Sequence, residues 1–131
     1  MERADVVVVG AGPAGAAAAI SIARAGREVV LVDKARFPRD KCCGDGLTTL
    51  ALRELEDLGL RPEAIPSWTW VDAAWLRSPS GRTVELPLPA TRAWHAAIAR
   101  RFELDAALVD LARHEGAKVL DLTGYSVIPG L

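Results

Sequence analysis

Three glycines near the amino terminus restrict the fold of this chain more than any other feature. Gly10, Gly12 and Gly15 have the spacing G-x-G-x-x-G, directly after the run Val6 to Val9 and before an alanine-rich run that reaches Ala23. Four β-branched residues favour a buried strand, and the alanine-rich run favours a helix. A strand that turns through glycines into a helix begins a βαβ unit, so the pattern predicts an α/β fold with parallel strands.

Each glycine of this turn has its own physical reason. Gly10 permits the tight turn, Gly12 has no Cβ to block a phosphate, and Gly15 allows the helix to pack closely on the strand. Pro13 suits the first helical turn, because its missing N–H would have no intrahelical partner there. The other N–H groups at the helix start and the helix dipole attract anions, so we expect a pyrophosphate site that needs no charged side chain.

A second strand and an acid complete the pattern. Gly26 ends the helix, Glu28 to Val32 form a second apolar strand, and Asp33 follows at its tip. An acid there accepts hydrogen bonds from a ribose 2′-OH and repels a 2′-phosphate, so NADP is disfavoured in this site. The residues leave FAD and NAD open, because both carry the same ADP half. They also leave open that the glycines only form a turn and that Asp33 only ends a strand.

Composition excludes several other classes of protein. The chain has 131 residues, is 50% hydrophobic and carries a net charge of −1, which predicts one domain with a core and no basic stripe for nucleic acid. Glycines and Pro13 interrupt the uncharged stretch from Val6 to Ala23, which argues against a signal peptide or a membrane span. The only cysteines, Cys42 and Cys43, are adjacent, which predicts a reducing, cytoplasmic compartment, no vicinal disulfide and no metal site.

Two longer segments carry a family resemblance. The segment DKARFPRDKCCGDGLT, residues 33–48, resembles the FAD-dependent geranylgeranyl reductase family, and in particular its actinobacterial geranylgeranyl and menaquinone reductase-like members. This family is related to aromatic hydroxylases and flavin halogenases. The segment RRFELDAALVDLARHEGAKVL, residues 100–120, is similar to the family's Arg-x-x-Leu-Asp pattern, with Arg101, Leu104 and Asp105 at the matching positions.

The resemblance implies a Rossmann-like FAD-binding fold with FAD as the cofactor. It assigns the pyrophosphate to the glycine turn, the adenosine ribose to Asp33, the flavin side to the Cys43 turn and the adenine to the Tyr125 backbone. Arg101 would brace phosphate or ribityl oxygens, whereas without the resemblance it would be a solvated arginine at a helix start. The implied cofactor-binding residues are Gly10, Gly12, Pro13, Ala14, Gly15, Asp33, Lys34, Cys43, Gly44, Gly46, Arg101 and Tyr125.

The activity that the resemblance implies is flavin chemistry on an isoprenoid. Reduced FAD delivers a hydride to a carbon-carbon double bond, and no side chain of this chain is expected to act as a catalytic acid or base. The expected partners are a prenyl-lipid substrate, which implies peripheral membrane contact, and NADPH or another external electron donor that binds outside this site. Two alternatives stay open: a flavin monooxygenase or halogenase relative, and a non-catalytic nucleotide-binding remnant.

The chain is short for this family. Members are much longer and carry a further Gly-Asp-Ala type motif, so we expect residues 1–131 to form one partial Rossmann-like domain of a truncated or frame-shifted member. Residues 66–90 would then begin a β insertion on the substrate side.

Periodicity predicts the remaining elements. Trp70 to Arg77 and Arg82 to Leu88 alternate around a Ser-Pro-Ser-Gly turn, which indicates a β-hairpin. Further along, the apolar positions Leu104, Leu108 and Leu111 to Ala112 indicate an amphipathic helix that ends near Gly116, and Lys118 to Leu122 indicate a short strand. An apolar helix stripe is expected at Leu47, Leu50, Ala51, Leu55 and Leu58. The four tryptophans, expected in the core with a pocket lining as the alternative, are Trp68, Trp70, Trp75 and Trp94.

Overall fold

The computed structural model describes residues 3–89 and 95–123, so Trp94 and Tyr125 lie outside the described residues. The helices and strands, in chain order, are β1 (Val6–Val9), α1 (Pro13–Arg24), β2 (Val29–Asp33), β3 (Gly46–Thr48), α2 (Thr49–Asp57), β4 (Thr69–Trp70), β5 (Ala73–Arg77), β6 (Thr83–Pro87), β7 (Ala96–Ile98), α3 (Arg101–His114) and β8 (Lys118–Asp121). A short 3₁₀ turn spans Pro62–Ala64. The elements form two compact units, Met1–Cys42 with Arg101–Leu131, and Cys43–Arg100.

The first unit is built on a parallel sheet with the strand order β1-β2-β8. Val6 pairs with Val29, and Val30 pairs with Lys118. Helix α1 packs on β1, β2 and α3, and α3 also contacts β8. The βαβ unit and the α/β class predicted from the sequence are therefore confirmed.

The core of the first unit lies between the helices and one face of its sheet. The fully buried side chains include Ile20 on α1, Leu31 on β2 and Leu108 on α3. Because side chains alternate along a strand, Val7 and Val9 point away from this core, and they are 58% and 83% exposed.

Helix α1 follows the sequence prediction, and β2 is shifted by one residue. Alanine has the highest helix propensity, and Gly26 ends the helix with a φ of 74° and an N–H that donates to the Ala23 carbonyl. The carbonyl of Glu28 accepts from the N–H groups of Asp5 and Val6 just before β2 begins. Asp33 belongs to the strand itself, because it pairs with Asp121 of β8.

Helix α3 spans Arg101–His114, so it begins at the arginine expected at a helix start and ends two residues before Gly116. Leu104, Leu108 and Ala112 are buried as expected. Asp105 is also fully buried, and it is the one charged residue that is buried in the described part of the chain.

The second unit is antiparallel. Strand β7 lies between β3 and β4, and β5 and β6 form a separate two-stranded sheet. The predicted hairpin is confirmed, with Trp75 opposite Glu85 and Leu76 opposite Val84. Trp70 is not part of it, since it pairs with Ala97 of β7 in the short strand β4.

The packing predicted for α2 is wrong at two positions. The buried leucine of α2 is Leu52, which the predicted stripe omits, while Leu50 is 67% exposed. The helix begins late because the Thr48 side chain accepts from the Ala51 N–H as N-cap, which leaves Leu47 in β3.

The described tryptophans are not core residues. Trp75 is 66% exposed on the hairpin and Trp70 is 44% exposed, while Trp68 is half-buried. Trp68 and Trp70 contact each other edge to face, with ring centroids 5.4 Å apart. A pocket-lining role for these rings stays a prediction.

Candidate functional site

The glycine turn between β1 and α1 is fixed by backbone geometry. Gly10 has a φ of 99°, in the region that favours glycine, and its N–H donates to the Val32 carbonyl at 2.8 Å. A Cβ on Gly15 would lie 1.8 Å from the Gly10 carbonyl oxygen, which no real contact allows. These two glycines are therefore required for the turn itself, whether or not a ligand binds.

Gly12 is different, because its surroundings are open. It is the N-cap of α1 and supplies no side-chain cap. A Cβ built on it would meet only the Nη2 atoms of Arg39 and Arg101, each at 3.8 Å. The first bond of the helix runs from the Ala16 N–H to the Gly12 carbonyl, so the preceding N–H groups, those of Ala14 and Gly15, lie outside the helical ladder. The helix start thus combines donor groups, a positive dipole end and two guanidiniums, an arrangement that suits phosphates.

Asp33 connects the turn to the carboxyl end of β2. Its Oδ2 accepts from the Ala11 N–H at 2.7 Å, and its Oδ1 accepts from the Ala35 N–H at 2.9 Å. Each carboxylate oxygen has a second lone pair, so these bonds leave acceptor capacity for a ribose hydroxyl. The sequence predicted the acid at this edge but not its bond to the turn.

A buried ion cluster lies beside the turn. Asp105 contacts Arg101 through two bonds, Nε to Oδ1 at 2.7 Å and Nη2 to Oδ2 at 2.9 Å. Arg39 Nη1 lies 2.8 Å from Asp105 Oδ2, as an ion pair without hydrogen-bond alignment. The Asp105 side chain is fully buried, whereas the side chains of Arg39 and Arg101 are 16% and 17% exposed.

The predicted site residues fall into four groups. Those gathered in the first unit at the glycine turn and its edges are Gly10, Gly12, Pro13, Ala14, Gly15, Asp33 and Arg101. Lys34 is exposed beside Asp33. Cys43, Gly44 and Gly46 are exposed residues of the second unit, so their contact with a cofactor stays a prediction, and Tyr125 lies outside the described residues.

Two residues of the cluster escaped the sequence prediction. Arg39 is part of the FPRDK run, and Asp105 lies four residues after Arg101, where side chains on one helix face meet. That spacing was the available signal for the Arg101–Asp105 pair, while only the folded chain brings Arg39 to them.

Two other features are absent from the part of the chain that the structure describes. In residues 3–89 and 95–123, no group of three or more His, Cys, Asp or Glu side chains is arranged to hold a metal ion. Over the same ranges, no helix is both long and apolar enough to cross a membrane. Neither cysteine forms a disulfide.

Comparisons with known proteins agree with this geometry. Residues 5–56 match the model of the FAD dependent oxidoreductase family. The chain is 50% identical over 125 residues to menaquinone reductase of Mycolicibacterium smegmatis, covering 90% of this chain and 29% of the relative. It is 40% identical over 83 residues to digeranylgeranylglycerophospholipid reductase 1 of Methanopyrus kandleri, covering 63% of this chain and 21% of the relative.

A solved structure shows the same fold. It is the geranylgeranyl bacteriochlorophyll reductase-like protein of Thermoplasma acidophilum, with a TM-score of 0.75, 28% identity, and coverage of 92% of this chain and 30% of that one. The chain therefore spans less than a third of the length of these proteins. The resemblance read from its motifs is confirmed.

Proposed function

We propose that this chain, a relative of the FAD-dependent geranylgeranyl and menaquinone reductases, supplies the FAD-binding part of an oxidoreductase. The observation that carries the proposal is the glycine turn, where the Arg39 and Arg101 guanidiniums flank an open Gly12 at the start of α1. Asp33, hydrogen-bonded to the same turn, supports the assignment, because it presents a carboxylate where a ribose would lie. FAD fits both features, since it carries a pyrophosphate next to an adenosine ribose.

Each predicted residue has a place in this proposal. The pyrophosphate lies against Gly10, Gly12, Pro13, Ala14 and Gly15, and Asp33 binds the ribose with Lys34 beside it. Arg101 neutralises phosphate charge. Cys43, Gly44 and Gly46 approach the flavin side, and the Tyr125 backbone meets the adenine.

The proposed reaction is the reduction of an isoprenoid carbon-carbon double bond. Bound FAD supplies the hydride once it is reduced, and the residues of this chain bind and orient the cofactor. Relatives named for geranylgeranyl lipids support an isoprenoid or lipid substrate. A lipid substrate would require peripheral contact with a membrane. NADPH would act as electron donor from outside this site, because Asp33 repels a 2′-phosphate here.

A titration of the purified chain tests the cofactor. We expect FAD to bind, giving a yellow complex with a flavin absorption spectrum, and ADP to compete with it for the same site. Binding of NAD without FAD would refute the flavin assignment. If none of FAD, NAD and ADP binds, the chain is a non-catalytic remnant.

The variant Gly12→Val tests the glycine turn. We expect it to fold, since nothing lies within 3.8 Å of the added Cβ, but to lose FAD binding, because the side chain fills the space meant for the pyrophosphate. Binding would be followed by flavin fluorescence and folding by circular dichroism. Ala18→Val is the matched control, as it places the same valine side chain at an exposed position of α1 and should keep the affinity of the unaltered chain. A Gly12→Val variant with full affinity would show that the pyrophosphate lies elsewhere.

A further inference from the structure

We infer that Arg39 and Arg101 form a two-armed clamp for the pyrophosphate and that the buried Asp105 is the positioning residue that aims both arms. The inference rests on the proposed dinucleotide site and adds two residues to it, Arg39 as a direct ligand and Asp105 as its support. It is drawn from contacts within the first unit alone.

The terminal amino group Nη2 of each arginine lies near Gly12. Arg39 places Nη1 2.8 Å from Asp105, while its Nη2 faces Gly12 at 3.8 Å from the Cβ position. Arg101 holds Asp105 with Nε and Nη2, and that Nη2 also lies 3.8 Å from the same Cβ position. An amino group of guanidinium carries two hydrogens, so an Nη2 that donates to a carboxylate still has one for a second acceptor. Both arginines therefore present donors to one point at the helix start.

Burial explains why Asp105 is suited to this task. A fully buried carboxylate is costly unless ion pairs and hydrogen bonds satisfy it, and both guanidiniums do so here. Their positions are therefore fixed before any ligand arrives. Phe37 restrains Arg39 further, since the Cζ atom of Arg39 lies 4.9 Å from the centroid of the Phe37 ring.

The charges of the cluster identify the class of ligand. Two guanidiniums and one carboxylate sum to one net positive charge, next to the positive end of the α1 dipole. An ion cluster with only a structural role would not need a surplus positive charge next to the open space at Gly12. A pyrophosphate carries two negative charges on neighbouring phosphates, and guanidiniums bind phosphate oxygens in paired hydrogen bonds.

Variants of the loop arginines separate a ligand from a structural residue. Arg39→Gln removes one arm, while Arg36→Gln removes a cation from the same loop whose side chain is 77% exposed and pairs with Asp121. Affinities of the whole 131-residue chain for ADP and for adenosine are measured by calorimetry, together with that of inorganic pyrophosphate. We expect Arg39→Gln to weaken ADP and pyrophosphate roughly tenfold or more and to change adenosine less than about twofold. Arg36→Gln should leave the ratio of the ADP affinity to the adenosine affinity unchanged.

Asp105→Asn gives opposite results for the two possible roles of the acid. If Asp105 acted only as a nearby negative charge, its neutralisation would tighten ADP. If it aims the arginines, the variant weakens ADP roughly tenfold and adenosine hardly at all, despite the added positive charge. A structural defect would weaken both ligands alike. If circular dichroism shows that this variant does not fold, Arg39→Lys is measured instead. Lysine keeps the positive charge but lacks the paired donors of a guanidinium. We therefore expect its affinity for ADP to lie between those of Arg39→Gln and the unaltered chain.

The outcomes for the clamp and for the proposed function are distinguishable. An unchanged ratio of ADP to adenosine affinity in Arg39→Gln overturns the clamp, even if FAD binds. Tighter ADP binding by Asp105→Asn overturns the positioning role. If the chain binds ADP with the expected dependence on Arg39 but does not bind FAD, the flavin assignment fails and the clamp stands. An unaltered chain that binds neither ADP nor pyrophosphate has no clamp.

Discussion

The glycine turn of the first unit and the β5–β6 hairpin of the second differ in how their side chains are held. Around the turn, polar groups have defined partners: Asp33 bonds the Ala11 N–H, and Asp105 holds two arginines. On the hairpin, Trp75 and Leu76 are 66% and 59% exposed. The turn thus carries its own restraints, whereas the hairpin is restrained mainly by the pairing of its two strands. Stability and ligand binding should therefore be sensitive to substitutions in the first region and tolerant in the second.

The largest difference is expected for leucine truncation. Leu108→Ala removes a fully buried side chain from α3 and should lower the free energy of unfolding by about 3 to 5 kcal/mol. Leu76→Ala, on the exposed hairpin, should change it by less than about 0.5 kcal/mol. Urea unfolding followed by circular dichroism measures both. Equal losses would show that the hairpin is as firmly packed as the core of the first unit.

The next largest difference concerns an added methyl group. Gly15→Ala places a Cβ against the Gly10 carbonyl, which must move, so we expect a loss of about 2 to 3 kcal/mol in the free energy of unfolding. Gly44→Ala is the matched substitution in the second unit, where a Cβ meets nothing within 4 Å, and its effect should be close to zero. A harmless Gly15→Ala would contradict the close approach of helix and strand.

This contrast also explains how much of the fold could be predicted from the sequence. Gly10 and Gly15 occupy backbone positions that other residues tolerate poorly, so their spacing predicted the turn, α1 and the edge where Asp33 lies. The parallel pairing of β1 with β2 follows from the same βαβ logic, whereas the sequence did not predict that β8 pairs with β2. Where the chain itself requires a residue type, the sequence is a sufficient guide.

The predictions that failed depend on what packs against a side chain. An alternating pattern predicted the hairpin strands but not that Trp75 is exposed, because apolar residues alternate in the same way on covered and uncovered strands. The α2 stripe was misplaced because the Thr48 cap starts the helix after Leu47. Arg39 and Asp105 are 66 positions apart in the chain, so no local pattern joins them.

A smaller difference is expected for polar bonds. Asp33→Asn replaces one acceptor with an amide that cannot accept from both Ala11 and Ala35, and should cost about 1 to 2 kcal/mol of unfolding free energy. Ser78→Ala removes an exposed bond to the Arg82 N–H in the hairpin turn, and its cost should stay below about 0.5 kcal/mol. Thermal unfolding of both variants gives the comparison. If Asp33→Asn were as mild as Ser78→Ala, the bond to the turn would be dispensable.

The smallest effect is expected at an exposed ion pair of the first unit. Arg24 on α1 donates to Glu115 at 2.7 Å, and this hydrogen bond holds the pKa of the Glu115 carboxyl below its ordinary value of 4.5. A carboxyl whose pKa is lower in the folded state stabilises the fold above the unfolded pKa, and this contribution is lost as the pH falls through the folded value. Solvent screens such pairs, so the contribution is slight.

Glu115→Gln should therefore be slightly less stable than the unaltered chain at neutral pH, and the two should converge as the pH falls below about 4.5. Thermal unfolding between neutral pH and pH 3 measures the convergence, at low salt so that screening does not hide it. Arg24→Gln should reproduce the pattern, because it removes the donor that lowers the pKa. A stability difference that grows on acidification would mean that Glu115 is held in its protonated form, and the ion pair between α1 and the end of α3 would then not contribute to the first unit.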